Sequence, residues 1–262
     1  MKMSETLTEE LALGRLRVLT VGSGPPLLIL HDEMGYPGWL SWQAALAATR
    51  TLVIPMAPGF GHAPRIEWLS SVRDLACVYA RLLSARGNAP IDVLGFSFGG
   101  WVAAEMLANQ PALFRRQVLI APLGIKPTDG VIFDAFEVTH RAQLEATVRD
   151  PQATPEFDQL FGGKPTPEQF EAFDDARAES ARLAWQPYMH NPSLPHLLEG
   201  LGTQVPVLIV HGDDDRIVPR SAMHAYQRAL GDAELVTLPR CGHRPEIECR
   251  DQFLSLVQNF LN

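Results

Sequence analysis

A serine stands between two glycines in Gly95-Phe96-Ser97-Phe98-Gly99, with the apolar run Ile91-Asp92-Val93-Leu94 before it and a helical pattern from Gly100 to Asn109 after it. A strand that turns this sharply into a helix has no space for side chains at positions 95 and 99, and it holds the central residue in a strained backbone with its hydroxyl exposed at the carboxyl edge of a sheet. Ser97 is therefore the candidate nucleophile. A serine hydroxyl attacks poorly at neutral pH unless a base takes its proton and an acid orients that base. Both residue types follow later apolar runs. His211-Gly212-Asp213-Asp214-Asp215-Arg216-Ile217-Val218-Pro219 supplies three acids, and Cys241-Gly242-His243-Arg244-Pro245-Glu246 supplies the base, His243. The chain order is nucleophile, acid, base.

Positioning these groups requires a sheet whose strands all end on one side. Short apolar runs at 16–21, 27–31, 51–55, 91–94, 117–121, 207–211 and 234–238 predict strands, and amphipathic patterns at 39–48, 68–86, 100–109, 220–230 and 247–261 predict helices between most of them. This alternation implies βαβ units and a mainly parallel sheet. The first strands are expected to be antiparallel, because only Gly22-Ser23-Gly24-Pro25 separates two of them. Between Ala121 and Val207 the pattern is helical, with Phe133/Phe136, Phe157/Phe161 and Phe170/Phe173 spaced to share helix faces. Proline-rich joints at 151–155, 165–167 and 192–195 break it into separate helices. Such an insertion, placed after the sixth strand, lies over the carboxyl ends of the strands, where ligands bind in open α/β sheets. The expected division is a core of residues 1–123 and 201–262 and a helical lid of 124–200.

Composition limits the partners. The 262 residues are 46% hydrophobic and 20% charged, the composition of a globular protein with a sizeable core. A formal charge of −8 argues against nucleic-acid binding, which draws on lysine and arginine, and is compatible with neutral or cationic small molecules. No apolar stretch approaches a membrane span, and Met1 to Glu10 is polar and acidic, unlike a signal peptide, so a cytoplasmic protein is expected. Cys77, Cys241 and Cys249 show no C-x-x-C pairing, and His31, His62 and His211 lack the spacing of metal ligands, so no metal or other cofactor is expected. Oligomeric state is left open.

With these motifs in place the chain resembles the α/β-hydrolase superfamily, in its lidded serine hydrolase and esterase branch, over nearly its whole length apart from the lid. The stretch from Gly212 to Pro219 is similar to the family's G-x-x-D-x-I-V-P loop, which assigns the acid to Asp215 and leaves Asp213 and Asp214 as surface or capping residues. Gly242-His243 followed by Glu248 resembles the family's G-H-x-x-x-x-E, although the proline usual two positions later is Arg250 here. The resemblance also implies an oxyanion hole built from the backbone N–H of Phe98 and of Glu33. Here the chain departs from the family: His31-Asp32-Glu33 replaces His-Gly-x, and Met56-Ala57 stands where an aspartate often precedes the P-G-x-G turn. A carboxylate at position 33 opposes a forming oxyanion, so Glu33 is expected to turn aside to a partner such as Arg244; a protonated carboxyl, or one that holds a water or a substrate hydroxyl, is the alternative.

A substrate pocket is expected from His31 and Trp101 on the core side and from Trp185, Tyr188 and His190 of the lid, where aromatic faces are mixed with polar heads. Packing and hydrogen bonding are the competing roles for His31 and Trp101. The implied activity is cofactor-free hydrolysis of a small, mostly apolar ester through an acyl-enzyme. A serine at the elbow disfavours the dehalogenase and epoxide hydrolase branches, which carry aspartate there. A carbon–carbon bond hydrolase acting on ring-cleavage diketones is the second reading, although Phe96 stands where such enzymes often have asparagine. A hydrolase-like protein that binds a small ligand with little turnover is the third.

Overall fold

The computed structural model describes residues 6–11, 14–163 and 166–262, with side chains from residue 14 onward. Its strands are β1 (Thr6–Leu11), β2 (Gly14–Gly22), β3 (Pro26–Leu30), β4 (Thr51–Met56), β5 (Ile91–Phe96), β6 (Phe114–Ile120), β7 (Val207–Gly212) and β8 (Glu234–Leu238). They form one sheet in the order β1-β2-β4-β3-β5-β6-β7-β8. The helices are α1 (Ser41–Ala47), α2 (Val72–Arg86), α3 (Phe98–Asn109), α4 (His140–Ala146), α5 (Pro167–Ala184), α6 (Leu194–Leu197), α7 (Arg220–Leu230), α8 (Pro245–Glu248) and α9 (Arg250–Leu261). This is the α/β-hydrolase fold, a mainly parallel sheet flanked by helices.

Strand alternation divides the core into two layers. Leu28, Leu30, Val53, Val93 and Leu119 face α2, α3 and α7, while Leu27, Ile29, Leu52, Ile54, Leu94 and Val118 face α1 and α9. All seven sequence-predicted strands are present. The eighth, β1, pairs with β2 from Thr6↔Leu19 to Leu11↔Gly14; its two leucines in six residues carry too little apolar signal to predict a strand.

β2 runs antiparallel as expected, but its partner is β4 and not the sequence neighbour β3. The turn at 22–25 is pinned under the connection from α1 to β4. A Cβ on Gly22 would stand 2.3 Å from the Arg50 carbonyl oxygen, and one on Gly24 2.2 Å from that of Thr49, both at positive φ. That close approach carries the chain past β4 before β3 begins.

Helix boundaries follow their caps. The pattern predicted over 68–86 becomes helical at Val72, because the Ser71 hydroxyl accepts the Asp74 N–H at 3.1 Å, and it stops at Gly87 in the left-handed region. The pattern over 247–261 is split at Cys249 into α8 and α9.

The insertion between β6 and β7 holds α4, α5 and α6, and of the three phenylalanine pairs only Phe170/Phe173 lies on an α-helix. Phe133 and Phe136 lie in an irregular stretch, and Phe161 has φ 54 inside a broken 3-10 segment, so the expected shared helix face exists for one pair. Hydrogen bonds between Gly124 and Met189 (3.1 Å) and between Asn191 and Gly124 (2.9 Å) tie the ends of the insertion together. Further contacts reach the loops after β3, β7 and β8, among them Phe161 N–H to the Pro37 carbonyl (2.7 Å), Phe133 N–H to Ile217 (2.9 Å) and His243 N–H to Thr147 (2.8 Å). The insertion thus sits at the carboxyl ends of the strands.

Candidate active site

Ser97 occupies the turn from β5 into α3 with φ 47 and ψ −109, and it is buried. Both flanking glycines are required by close backbone approach. A Cβ at position 95 would be 2.7 Å from the Gly99 carbonyl oxygen, and one at position 99 would be 2.3 Å from that of Leu30. Phe98 is the first residue of α3, so its N–H has no partner within the helix and is open to a ligand.

The acid and base come from the ends of β7 and β8. Asp215 Oδ1 accepts the N–H groups of Ile217 (2.7 Å) and Val218 (3.0 Å), and Oδ2 accepts from His243 Nδ1 at 2.8 Å. Burial favours the neutral acid, but the positive ring of His243 and these donors hold Asp215 below the ordinary carboxylate range. Burial likewise works against a charged His243 ring; Asp215, with Glu33 behind it, outweighs that effect and pushes His243 up to about 9. The other two acids of the loop are occupied elsewhere. Asp213 accepts the Cys241 N–H at 3.3 Å, and Asp214 pairs with Arg149 at 2.8 Å on the surface. Glu248 accepts the Gly242 N–H at 2.9 Å and so fixes the loop that carries His243.

Ser97 Oγ, His243 Nε2 and Glu33 Oε2 are all buried, and none has a hydrogen-bond partner in the protein. No Ser97–His243 hydrogen bond is formed in the resting structure, a common state of catalytic pairs before substrate binds.

Glu33 corrects the sequence expectation. It does not turn aside to Arg244: that guanidinium bonds Asp32 and lies 3.5 Å from Glu246. The Glu33 carboxyl is buried and faces the site. Burial and the neighbouring Asp32 charge push its pKa up, while the His243 charge and the Ser97 hydroxyl pull it down. Asp32 itself closes the loop by accepting the Met34 N–H at 2.9 Å. Residues 32–35 form a turn closed by the Gly35 N–H to the Asp32 carbonyl at 3.2 Å, and within it Asp32 takes the cation while Glu33 takes the cavity.

The five expected pocket residues are scattered. Tyr188 shares a cavity with Glu33, Leu123, Ile132, Phe133, Met189 and Ile217, and its hydroxyl is fully used, donating to the Phe133 carbonyl at 3.0 Å and accepting from Ala135 at 3.2 Å. His31 is a correction: the Ala57 N–H donates to Nε2 (2.9 Å), so Nδ1 carries the proton and donates to the Asp32 carbonyl (2.8 Å). It braces the loop with both nitrogens engaged, and burial lowers its pKa. Trp101 and His190 line a separate groove with Glu105, Arg73 and Asn191, where Trp101 Nε1 donates to Glu105 at 3.2 Å. Trp185 is 48% exposed and packs edge-on against Phe136 and Tyr188 on the outside of the insertion.

Sequence reasoning missed three contributors. Ser180 of α5 donates to the Glu33 carbonyl at 3.0 Å, Thr147 accepts from Arg244 Nε at 3.1 Å, and Glu246 is a buried acid that burial lifts to about 7 against the pull of Arg244. No spacing signal marks the first two, because they are long-range contacts from the insertion. Among the described residues, no group of histidine, cysteine and acidic side chains could hold a metal ion, and no helix is long and apolar enough to cross a membrane.

The cavity beside Glu33 has a volume of about 10 Å³, room for roughly one water. A larger surface depression of about 610 Å³, between Arg149–Pro155 and Pro239–Gln252, is lined by none of Ser97, Asp215, His243 or Glu33. The chemistry marks the site, and the volume does not.

A sheet of this order with a serine in a tight glycine-flanked turn after β5, an acid after β7 and a histidine after β8 defines a class, and the model of the Alpha/beta hydrolase family matches residues 27–256; the chain belongs to that family. Among characterised relatives, it is 27% identical to the 2-hydroxymuconate semialdehyde hydrolase of Pseudomonas sp. strain CF600, over 92% of this chain and 88% of that one. It is 26% identical to the pimeloyl-[acyl-carrier protein] methyl ester esterase of Nitrosomonas europaea, over 93% and 98%. The solved 2-hydroxy-6-oxo-6-phenylhexa-2,4-dienoate hydrolase from Rhodococcus sp. strain RHA1 superposes with a TM-score of 0.76 over 98% of each chain at 22% identity, a likeness of fold.

Proposed function

We propose that the protein hydrolyses a small, mostly apolar carboxylic ester with Ser97, His243 and Asp215 as nucleophile, base and orienting acid. The observation that carries this reading is the His243 Nδ1–Asp215 bond of 2.8 Å, which leaves Nε2 buried and unpartnered, as the Ser97 hydroxyl is, with both groups acting on the same Glu33 carboxyl. In the reaction, Ser97 Oγ attacks the ester carbonyl and passes its proton to His243 Nε2. The carbonyl oxygen becomes an oxyanion held by the Phe98 and Glu33 N–H groups. Collapse breaks the bond to the alcohol oxygen, which leaves with the His243 proton. Water, deprotonated by His243, then releases the acid and restores Ser97.

Residues 124–200 act as a lid over a core of 1–123 and 201–262. A cavity of about 10 Å³ is far below the ~300–1,000 Å³ that small ligands fill, so substrate entry requires the lid to shift. The enzyme works in the cytoplasm without metal or cofactor.

The competing reading, cleavage of a carbon–carbon bond in a ring-cleavage product, rests on the likeness to the semialdehyde hydrolase. The charges at the site favour the ester. Products of ring cleavage of the dienoate type carry a carboxylate, and Arg244, the buried cation beside Asp32 and Glu33, is already engaged by Asp32 and Glu246. Assaying short-chain aryl esters beside a vinylogous diketone on wild type and Ser97→Ala tests the choice. Ester turnover that vanishes with Ser97 supports the proposal; turnover of the diketone alone moves the protein to the second reading, and turnover of neither leaves a ligand-binding protein.

A further inference from the structure

Among the described residues two buried acids near the site keep an unpartnered oxygen, Glu33 Oε2 and Glu246 Oε2; Glu246 lines a cavity with Arg244 and Asp32, whereas Glu33 is the one acted on by Ser97 and His243. Asp215 is saturated by His243 and two backbone donors, and Asp32 is held by Arg244 and Met34. Glu33 has a relative exposure of 6%, its Oε2 has no partner, and it opens on a cavity lined by Leu123, Ile132, Phe133, Ala135, Met189 and Ile217, by Tyr188, whose hydroxyl is engaged with Phe133 and Ala135, and by Gln143, whose Oε1 is a second unpartnered acceptor. A buried acceptor left unmatched is costly, so the Glu33 oxygen is matched when substrate is bound.

What matches it is set by charge. Asp32 and Glu246 share Arg244 and Asp215 pairs with His243, so the positive groups at the site are already engaged, while the Asp32 charge, the Ser97 hydroxyl and His243 act directly on the Glu33 carboxyl. An anionic group of a substrate is repelled there, and a hydrogen-bond donor is welcomed. The carboxyl keeps an acceptor oxygen whether ionised or protonated, so the preference for a donor does not depend on its state. Because the Ser97 hydroxyl acts directly on this carboxyl, a donor that reaches it lies close to the scissile carbonyl, and the nearest substituent position is the carbon next to that carbonyl.

We propose that Glu33 is the specificity-determining residue of the site and that it selects 2-hydroxy or 2-amino esters, accepting a hydrogen bond from the substituent beside the scissile carbonyl while the apolar remainder fills the cavity formed with Leu123, Ile132, Phe133, Met189 and Ile217. This rests on the ester reading of Ser97.

The test compares ethyl butyrate, ethyl 2-hydroxybutyrate and monoethyl succinate as substrates of wild type, Glu33→Gln and Glu33→Leu, each checked for folding by its thermal transition. Wild type should prefer the hydroxy ester over ethyl butyrate by about 10- to 150-fold in kcat/KM, the range of one hydrogen bond to a charged group. Monoethyl succinate should be the poorest substrate. Glu33→Leu should erase the preference, Glu33→Gln should keep part of it through its amide oxygen, and both should improve monoethyl succinate relative to ethyl butyrate. Equal rates for the two butyrates in wild type, or a preference that survives in Glu33→Leu, overturn the assignment while leaving Ser97 chemistry standing. If wild type turns over no ester, the ester reading fails, and calorimetry of the two butyrates on Ser97→Ala decides the inference separately: tighter binding of the hydroxy ester, lost with Glu33→Leu, supports it, and equal binding overturns it.

Discussion

The Ser180 hydroxyl, on α5 of the insertion, donates to the Glu33 carbonyl at 3.0 Å. One bond thus joins the insertion to the loop whose Glu33 side chain acts on Ser97 and His243. Removing it should loosen that loop without touching the reacting atoms. Ser180→Ala is expected to lower kcat/KM by roughly 10- to 100-fold, the scale of a small misplacement at a reacting centre, with Ser97 still reactive. Steady-state kinetics beside the rate of covalent labelling check it; an unchanged kcat/KM contradicts the account.

The acid loop makes a sharper distinction. Asp215→Asn should cost on the order of 10³ to 10⁴ in kcat, because an amide favours the wrong histidine tautomer. Asp213→Asn and Asp214→Asn should stay within about threefold, since those carboxylates serve Cys241 N–H and Arg149. A comparable loss at either neighbour would move the acid.

The pH profile follows from His243. Its pKa is pushed up to about 9, and the base must be neutral to take the Ser97 proton, so kcat/KM should rise with pH and level off above about 9. Glu33 is among the charges that hold the His243 proton. Replacing it by a neutral glutamine removes that attraction, so the rising limb of Glu33→Gln should move to lower pH. A limb that moves to higher pH, or not at all, shows that Glu33 carries no charge where His243 titrates.

Stability offers a control remote from the chemistry. Asp92, buried on β5, is bonded by Arg50 at 2.7 Å and by Arg115 Nε at 2.9 Å, and Arg50 also donates to the Leu261 carbonyl, joining α9 to the sheet. Asp92→Ala leaves buried positive charge uncompensated and should destabilise by about 3–5 kcal/mol, read by denaturant unfolding. A change under about 1 kcal/mol would show that the cluster contributes little.

The sequence made legible what local rules govern. Gly95 and Gly99 announce the elbow because no side chain fits there, and the acid and base announce themselves by following apolar runs that end at one edge of a sheet. Long-range contacts left no such trace. The choice of Arg244 between Asp32 and Glu33 depends on which way a loop of adjacent acids faces, and Ser180 and Thr147 reach the site from the insertion. Spacing misled where it was read without the backbone: Phe133/Phe136 and Phe157/Phe161 repeat at helical intervals in segments that are not α-helical. Trp101 stands just past the elbow and His31 directly follows the strand beside it, yet their polar atoms are spent on Glu105 and on Ala57 and Asp32.

Covalent labelling of Ser97 tests the central claim most directly. Intact-protein mass spectrometry after treatment with an organophosphonate probe should show a single adduct on wild type and none on Ser97→Ala, and labelling should be slowed by at least about 10²-fold in His243→Ala, which lacks the base. Equal labelling of wild type and Ser97→Ala, or ester turnover that persists in Ser97→Ala, would contradict it.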